Sequence, residues 1–206
     1  MEDVNVDEKS VIIFGNGRAN NHFENLKIFS KADSKAEIGI KKDYDIYILL
    51  DFQAPSAGYN SVEEIVYLSN TIVDFVKRNR NIALIIKPYP SIDMSLLSNI
   101  ILNKTDNIYL VDKKLLPDHA LNIADVIFCK FSTLGVEGMI YDTQVVSILL
   151  DNEKLFKVFG DSAEYIYKKE ELIFFLETSL NSKDNFIKWK NSFKEKRKKF
   201  LKEYYP

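Results

Sequence analysis

Asn81-Ile82-Ala83-Leu84-Ile85-Ile86-Lys87-Pro88-Tyr89-Pro90 sets five apolar residues in a row and closes them with two prolines. A strand with no polar alternation is buried on both faces, as in parallel sheets covered by helices on each side. The prolines break the chain sharply behind it. Working upstream, 45–50 is a second strand. Between the two, Ser61 opens a helix whose apolar positions Ile65, Leu68, Ile72, Phe75 and Val76 recur at threes and fours. A further strand is expected at 11–14, ending on Gly15-Asn16-Gly17-Arg18. Downstream, the pattern predicts a helix near 93–103, a strand at 107–111 and a short helix at 117–124 with Pro117 at its first position. Strands at 125–129 and 144–150 flank a helix at 134–141, and a strand at 164–167 precedes a helix at 169–180. Strands alternating with crossover helices make the chain an α/β protein. The expected fold is Rossmann-like and doubly wound, a mainly parallel sheet with helices on both faces.

With 206 residues, 46% of them hydrophobic, and only 7 Gly and 5 Pro, the chain suits one packed domain without low-complexity linkers. The lone Cys129 rules out an intrachain disulfide framework and fits a reducing compartment; its apolar setting marks a buried structural thiol. The acidic start, 1–7, lacks the pattern of a signal peptide, and no stretch reaches the length of a membrane span. A cytoplasmic protein is expected. Net charge is only −2, but residues 183–206 hold nine Lys or Arg against three Asp or Glu, a balance of +6 that leaves −8 on the first 182. The expected organisation is therefore a body at 1–182 and a basic amphipathic C-terminal helix at 183–206. Its aromatic residues Phe186, Trp189, Phe193, Phe200 and Tyr204 fall at helical spacing, interrupted by Arg197. Such a helix either packs on its own sheet or docks peripherally on an anionic membrane face. Basic charge confined to a tail does not favour nucleic acid as a partner.

In an open parallel sheet, ligands sit outside the carboxyl ends of the strands. The loop Phe131-Ser132-Thr133-Leu134-Gly135-Val136-Glu137 places two hydroxyls at a helix start, where exposed N–H groups and the helix dipole favour an anion. Gly135 would let a phosphate approach closely, and Glu137 would reach ribose hydroxyls. The same residues equally form an ordinary capping motif. Lys87 and Tyr89, in the proline-stiffened loop, would lie on the same edge of the sheet, with Lys87 as a charge for phosphate. Gly17 and Arg18 are weaker candidates, because the dinucleotide fingerprint lacks its third glycine at Asn20. His22 and His119 have no metal-ligand spacing, and Asp118 and Asp125 read as a helix-start charge and a strand-end residue. No metal or cofactor is expected.

The Lys87-Pro88-Tyr89-Pro90 loop followed by the Ser132-Thr133 loop resembles the C-terminal, donor-binding half of GT-B bacterial surface-polysaccharide glycosyltransferases. Those relatives in pattern are the capsule and Kdo transferases, polysialyltransferases and teichoic-acid polymerases. The resemblance covers about 45–180 and implies a nucleotide-activated sugar as ligand, held at its phosphates by Lys87, Tyr89, Ser132 and Thr133, with Glu137 toward the ribose. Tyr89 stands where the family carries His, and a phenol cannot supply a cation near neutral pH. Only 44 residues precede the 45–50 strand, so the acceptor-binding half is expected elsewhere and the isolated chain is expected to transfer no sugar. The alternatives are a non-catalytic nucleotide-sugar-binding or regulatory module, and a sugar-nucleotide epimerase of related fold.

Overall fold

The computed structural model describes residues 17–52, 61–89, 92–97, 105–150 and 157–204. Within them six strands form one all-parallel sheet: β1 (Ile46–Phe52), β2 (Ile82–Pro88), β3 (Ile108–Leu110), β4 (Val126–Cys129), β5 (Gln144–Ile148) and β6 (Ala163–Ile166). Their spatial order is β3-β2-β1-β4-β5-β6. The chain runs outward from β1 to β3, returns to place β4 beside β1, and then runs outward the other way. The reversal leaves a crevice between the carboxyl ends of β1 and β4.

Eight α-helices accompany these strands among the described residues: α1 (Gly17–Ile28), α2 (Lys31–Ile38), α3 (Val62–Arg78), α4 (Pro117–Ile123), α5 (Thr133–Ile140), α6 (Lys169–Ser179), α7 (Lys183–Ser192) and α8 (Lys194–Tyr204). Alternate strand residues feed two cores. Ile46, Ile48 and Leu50, with Ile82, Leu84 and Ile86, pack against α3, α6 and α7 through Ile65, Ile72, Phe75, Leu172, Phe175 and Phe186. Tyr47 and Leu49, with Ala83 and Ile85, pack on the other face against α4 and α5 through Ala120, Leu121, Val136 and Met139. The doubly wound, helix-covered parallel sheet expected from the apolar runs is therefore present.

Ser61 caps α3 as the sequence predicts, its hydroxyl accepting from the Glu64 N–H at 3.0 Å. The strand at 11–14 and the loop from Gln53 lie outside the described residues. Of the helix expected at 93–103, the described part is a single 3₁₀ turn, Met94–Leu97. Helices α1 and α2 were not legible from periodicity. A capping box between Ser30 and Asp33 starts α2, and Gly39, at φ 82°, ends it in the left-handed region.

The C-terminal segment differs from the single amphipathic helix expected of it. It is two helices meeting at Phe193, and they pack on opposite faces of the sheet. From α7, Phe186 is buried and Trp189 meets Phe175 edge-on at 4.9 Å between ring centroids, while its indole N–H donates to Glu164 at 3.1 Å. From α8, Phe200 and Leu201 join the second core. Arg197, read as an interruption of the aromatic stripe, is an anchor: the residue is 4% exposed, and its guanidinium donates to Gln144 at the start of β5 and reaches Asp142 at 2.6 Å. Residues 183–204 are thus part of the packed body.

Candidate functional site

Lys87, Tyr89, Ser132 and Thr133 converge at the switch point. Lys87 and Pro88 are the last two residues of β2, so the loop predicted there begins only at Tyr89. The side chain of Lys87 shares the face of α4 and α5, because Ala83, Ile85 and Lys87 alternate with the residues of the first core. It is 7% exposed and donates from Nζ to the Lys113 carbonyl at 2.9 Å. Burial draws its pKa down, against the opposing pull of Asp51 and Asp112. Tyr89 is 48% exposed at the mouth of the crevice.

Ser132 is the N-cap of α5, its Oγ accepting from the Leu134 N–H at 3.1 Å. The capping role considered for it is therefore real. It leaves Thr133, exposed on the first turn, as the hydroxyl facing outward. A cleft of about 420 Å³ opens here, lined by Lys87, Tyr89, Lys113, Lys114, Ser132 and Thr133, with Leu115, Leu116 and Pro117 forming an apolar wall.

Gly135 and Glu137 both face the packed interior. A Cβ at Gly135 would come within 2.8–2.9 Å of the Phe159 ring and 3.0 Å of Cys129 Sγ, so the glycine makes room for core packing. Glu137 is 3% exposed and points inward, its Oε2 3.2 Å from His22 Nε2. A ribose contact would require that carboxylate at the surface. Gly17 and Arg18 form the first turn of α1, where the sequence suggested a turn beside phosphate; the Arg18 side chain lies outside the described part.

Sequence reasoning missed two groups. The first is Asp51, 9% exposed, the second-to-last residue of β1 and register partner of Lys87. It lines the cleft, and its Oδ2 has no hydrogen-bond partner among the described residues. Burial pushes its carboxyl up to about 6, with the Ser132 hydroxyl and Lys87 opposing the rise. The second is His22. Its Nδ1 lies 2.7 Å from Asp118, and Tyr141 donates to the same carboxylate. Hydrogen bonds to Asp118 and then Glu137 raise His22 to about 9, so the imidazole is cationic at neutral pH. Burial works against the Asp118 charge, but His22, Tyr141 and Asn25 outweigh it and hold that carboxyl well below the usual range. This buried cluster ties α1 to α4 and α5, directly behind the Ser132-Thr133 turn.

Cys129 is buried and its thiol is pushed up by burial, which leaves it unreactive. Among the described residues no group of three or more His, Cys, Asp or Glu is arranged to hold a metal ion. No described helix is long and apolar enough to cross a membrane.

No protein-family model and no curated protein matches the sequence. Solved structures do match in shape. UDP-GlcNAc 2-epimerase from Neisseria meningitidis, solved bound to UDP-GlcNAc, superposes over 90% of this chain and 50% of its own with a TM-score of 0.63 at 15% identity. The wall teichoic acid polymerase TagF, soaked with CDPG, covers 96% and 46% at a TM-score of 0.65 and 14% identity. TarM from S. aureus covers 81% and 34% at 0.57 and 15%.

The chain has the fold of one half of a GT-B protein.

It spans half or less of the length of each of these structures. In this GT-B half the crevice between β1 and β4 coincides with the cleft of Lys87, Ser132 and Thr133.

Proposed function

We propose that the cleft at the switch point binds the phosphates of a nucleotide-activated sugar, and that the chain is the donor-binding half of a glycosyltransferase of bacterial surface carbohydrate synthesis. One observation carries this reading: Lys87, Tyr89, Ser132 and Thr133, from two strand ends distant in sequence, line a single cleft of about 420 Å³ at a helix N-terminus. There the unpaired N–H groups of the first turn and the helix dipole favour an anion. Lys87 adds a buried cation, whose attraction for phosphate is strengthened by the low local dielectric. The apolar wall of Leu115, Leu116 and Pro117 beside these groups suits a ligand with one ionic and one flat apolar part.

The test is calorimetric titration with UDP-GlcNAc and CDP-glycerol. Replacing Ser132 and Thr133 together by Ala should weaken binding at least tenfold, while the loss of the cap lowers stability by about 0.5–2 kcal/mol. Equal affinity in parent and double variant overturns the assignment. A second reading, a sugar-nucleotide epimerase, draws support from the titratable groups at and behind the cleft, Asp51, Glu137 and His22. Incubation with UDP-GlcNAc followed by NMR of the sugar ring separates the two. An inverted ring stereocentre favours the epimerase, and an unchanged sugar favours the donor-binding half.

A further inference from the structure

Resting on that reading, we propose that Asp51 is a ligand-binding residue of the cleft, whose carboxyl takes up a proton as the diphosphate binds and donates its O–H to a phosphate oxygen. The placement comes first. Asp51 ends the central strand at the topological switch point, more than nine-tenths buried, on the face of the sheet from which α5 rises. Its Oδ2 is one of two buried side-chain polar atoms left without a hydrogen bond among the described residues. Native structures rarely leave such an atom unpaired, and one that lines a ligand cleft is explained by the ligand.

The surroundings decide in which form the carboxyl meets that ligand. Lys87 from β2, the Ser132 hydroxyl and the N-terminal turn of α5 gather negative charge at this point. An ionised carboxylate among them would repel the phosphate they attract. A protonated one offers the donor that a phosphate oxygen accepts, and Oδ2 gains its missing partner. One proton moves from solvent to the Asp51 carboxyl, and no covalent bond changes.

The groups facing Asp51 leave it as the one that titrates. On α5, Glu137 raises its pKa, and Glu137 itself is held by a His22 that stays cationic to about pH 9. At the end of β4, the Cys129 thiol is pushed far up by burial, and Lys130 is bound to both carboxylate oxygens of Glu64 from α3 at 3.1 Å. Lys87 is drawn down by burial and is the cation of the site, already carrying its proton. The free carboxyl already stands at about 6, so a further rise of about 2–3 units on binding holds it protonated at neutral pH.

UDP-GlcNAc and CDP-glycerol suit the test because their phosphates are diesters and do not titrate near neutral pH. Calorimetry of the full chain at about pH 7.5, in buffers of different ionisation enthalpy, counts the protons taken up. Close to one proton per ligand is expected, with affinity falling about twentyfold from about pH 6.5 to about pH 8. Asp51→Asn, a neutral donor of the same shape, should bind without proton uptake and without that pH dependence. It should also melt higher than the parent at about pH 8: a carboxyl raised above its unfolded value destabilises the fold as pH rises through about 6, and Asn removes that effect. Binding by the parent with no proton uptake overturns the role of Asp51 and leaves the cleft standing. Uptake that persists in Asp51→Asn assigns the proton to another group and overturns it equally. Absence of binding by the folded parent at every pH overturns the cleft as well. Should Asp51→Asn not fold, the infrared difference band of a protonated carboxyl on adding ligand to the parent decides the matter, and its absence refutes the proposal.

Discussion

Gly135 shows how one residue type admits two physical readings that only its neighbours separate. At a helix start after a strand, a glycine is what a close phosphate would need, and the sequence around Ser132 and Thr133 invites that reading. The Phe159 ring and Cys129 Sγ instead fill the space a side chain would occupy. Gly135→Ala should therefore act on stability, costing about 1–3 kcal/mol through overpacking. Urea unfolding measures that loss, and the folded fraction should keep the nucleotide affinity of the parent. Unchanged stability with lost affinity would restore the phosphate role. The hydroxyls beside it were legible because a cap and its helix are local. Asp51 was not, because a strand read as ending at Leu50 leaves the next residue in a loop. Once β1 extends to Phe52, the alternation of Tyr47, Leu49 and Asp51 carries the carboxyl to the buried side. His22 was hidden for a different reason, its carboxylate partner Asp118 being 96 residues away.

Among the elements, the strands were the most readable, since a continuous apolar run has few other uses in a chain of this size. Helix α1 (GRANNHFENLKI) is polar around most of its circumference and carries no such signal. Its placement rests substantially on an ionic tie: His22 to Asp118 on α4 and Glu137 on α5. This tie has a definite pH window. The His22 pKa rises from 6.5 to about 9 on folding, so its contribution is fully present below about pH 6.5 and is lost as pH rises through about 9. The shift corresponds to a few kcal/mol at most. His22→Ala leaves two carboxylates buried without their cation, so it should melt well below the parent near pH 6.5. The gap should narrow above about pH 9, where the parent imidazole is neutral too. Circular dichroism melts across this range test it, and a gap independent of pH would mean that His22 acts through packing alone.

For the molecule as a whole, the unevenness of charge stands, but its structural meaning changes. A +6 segment after a −8 body, whose five aromatic residues at helical spacing form one face, fits either a helix packed on its own sheet or one docked on an anionic membrane face. Folding uses that face internally. Phe186 and Trp189 close the first core, Phe200 enters the second, and Arg197 locks α8 to Asp142 and Gln144. What remains outside is largely lysine, with only Ile187 and Tyr204 as exposed large apolar side chains among the described residues, and so small an apolar surface leaves binding to an anionic membrane mainly to screened attraction. The lone tryptophan makes this measurable. Trp189, held between Phe175 and Phe186 and hydrogen-bonded to Glu164, reports on the very face that insertion would have to expose. Flotation with anionic vesicles should show at most weak retention at low salt, absent at physiological salt and absent with neutral vesicles. Trp189 emission should stay at its unbound wavelength throughout. A shift of that emission on anionic vesicles, with retention that survives salt, would mean that α7 leaves the sheet to enter the bilayer. The cost of such a departure is high, because it would uncover the Phe175 and Leu172 side of the core and strand the Glu164 carboxylate without its indole partner.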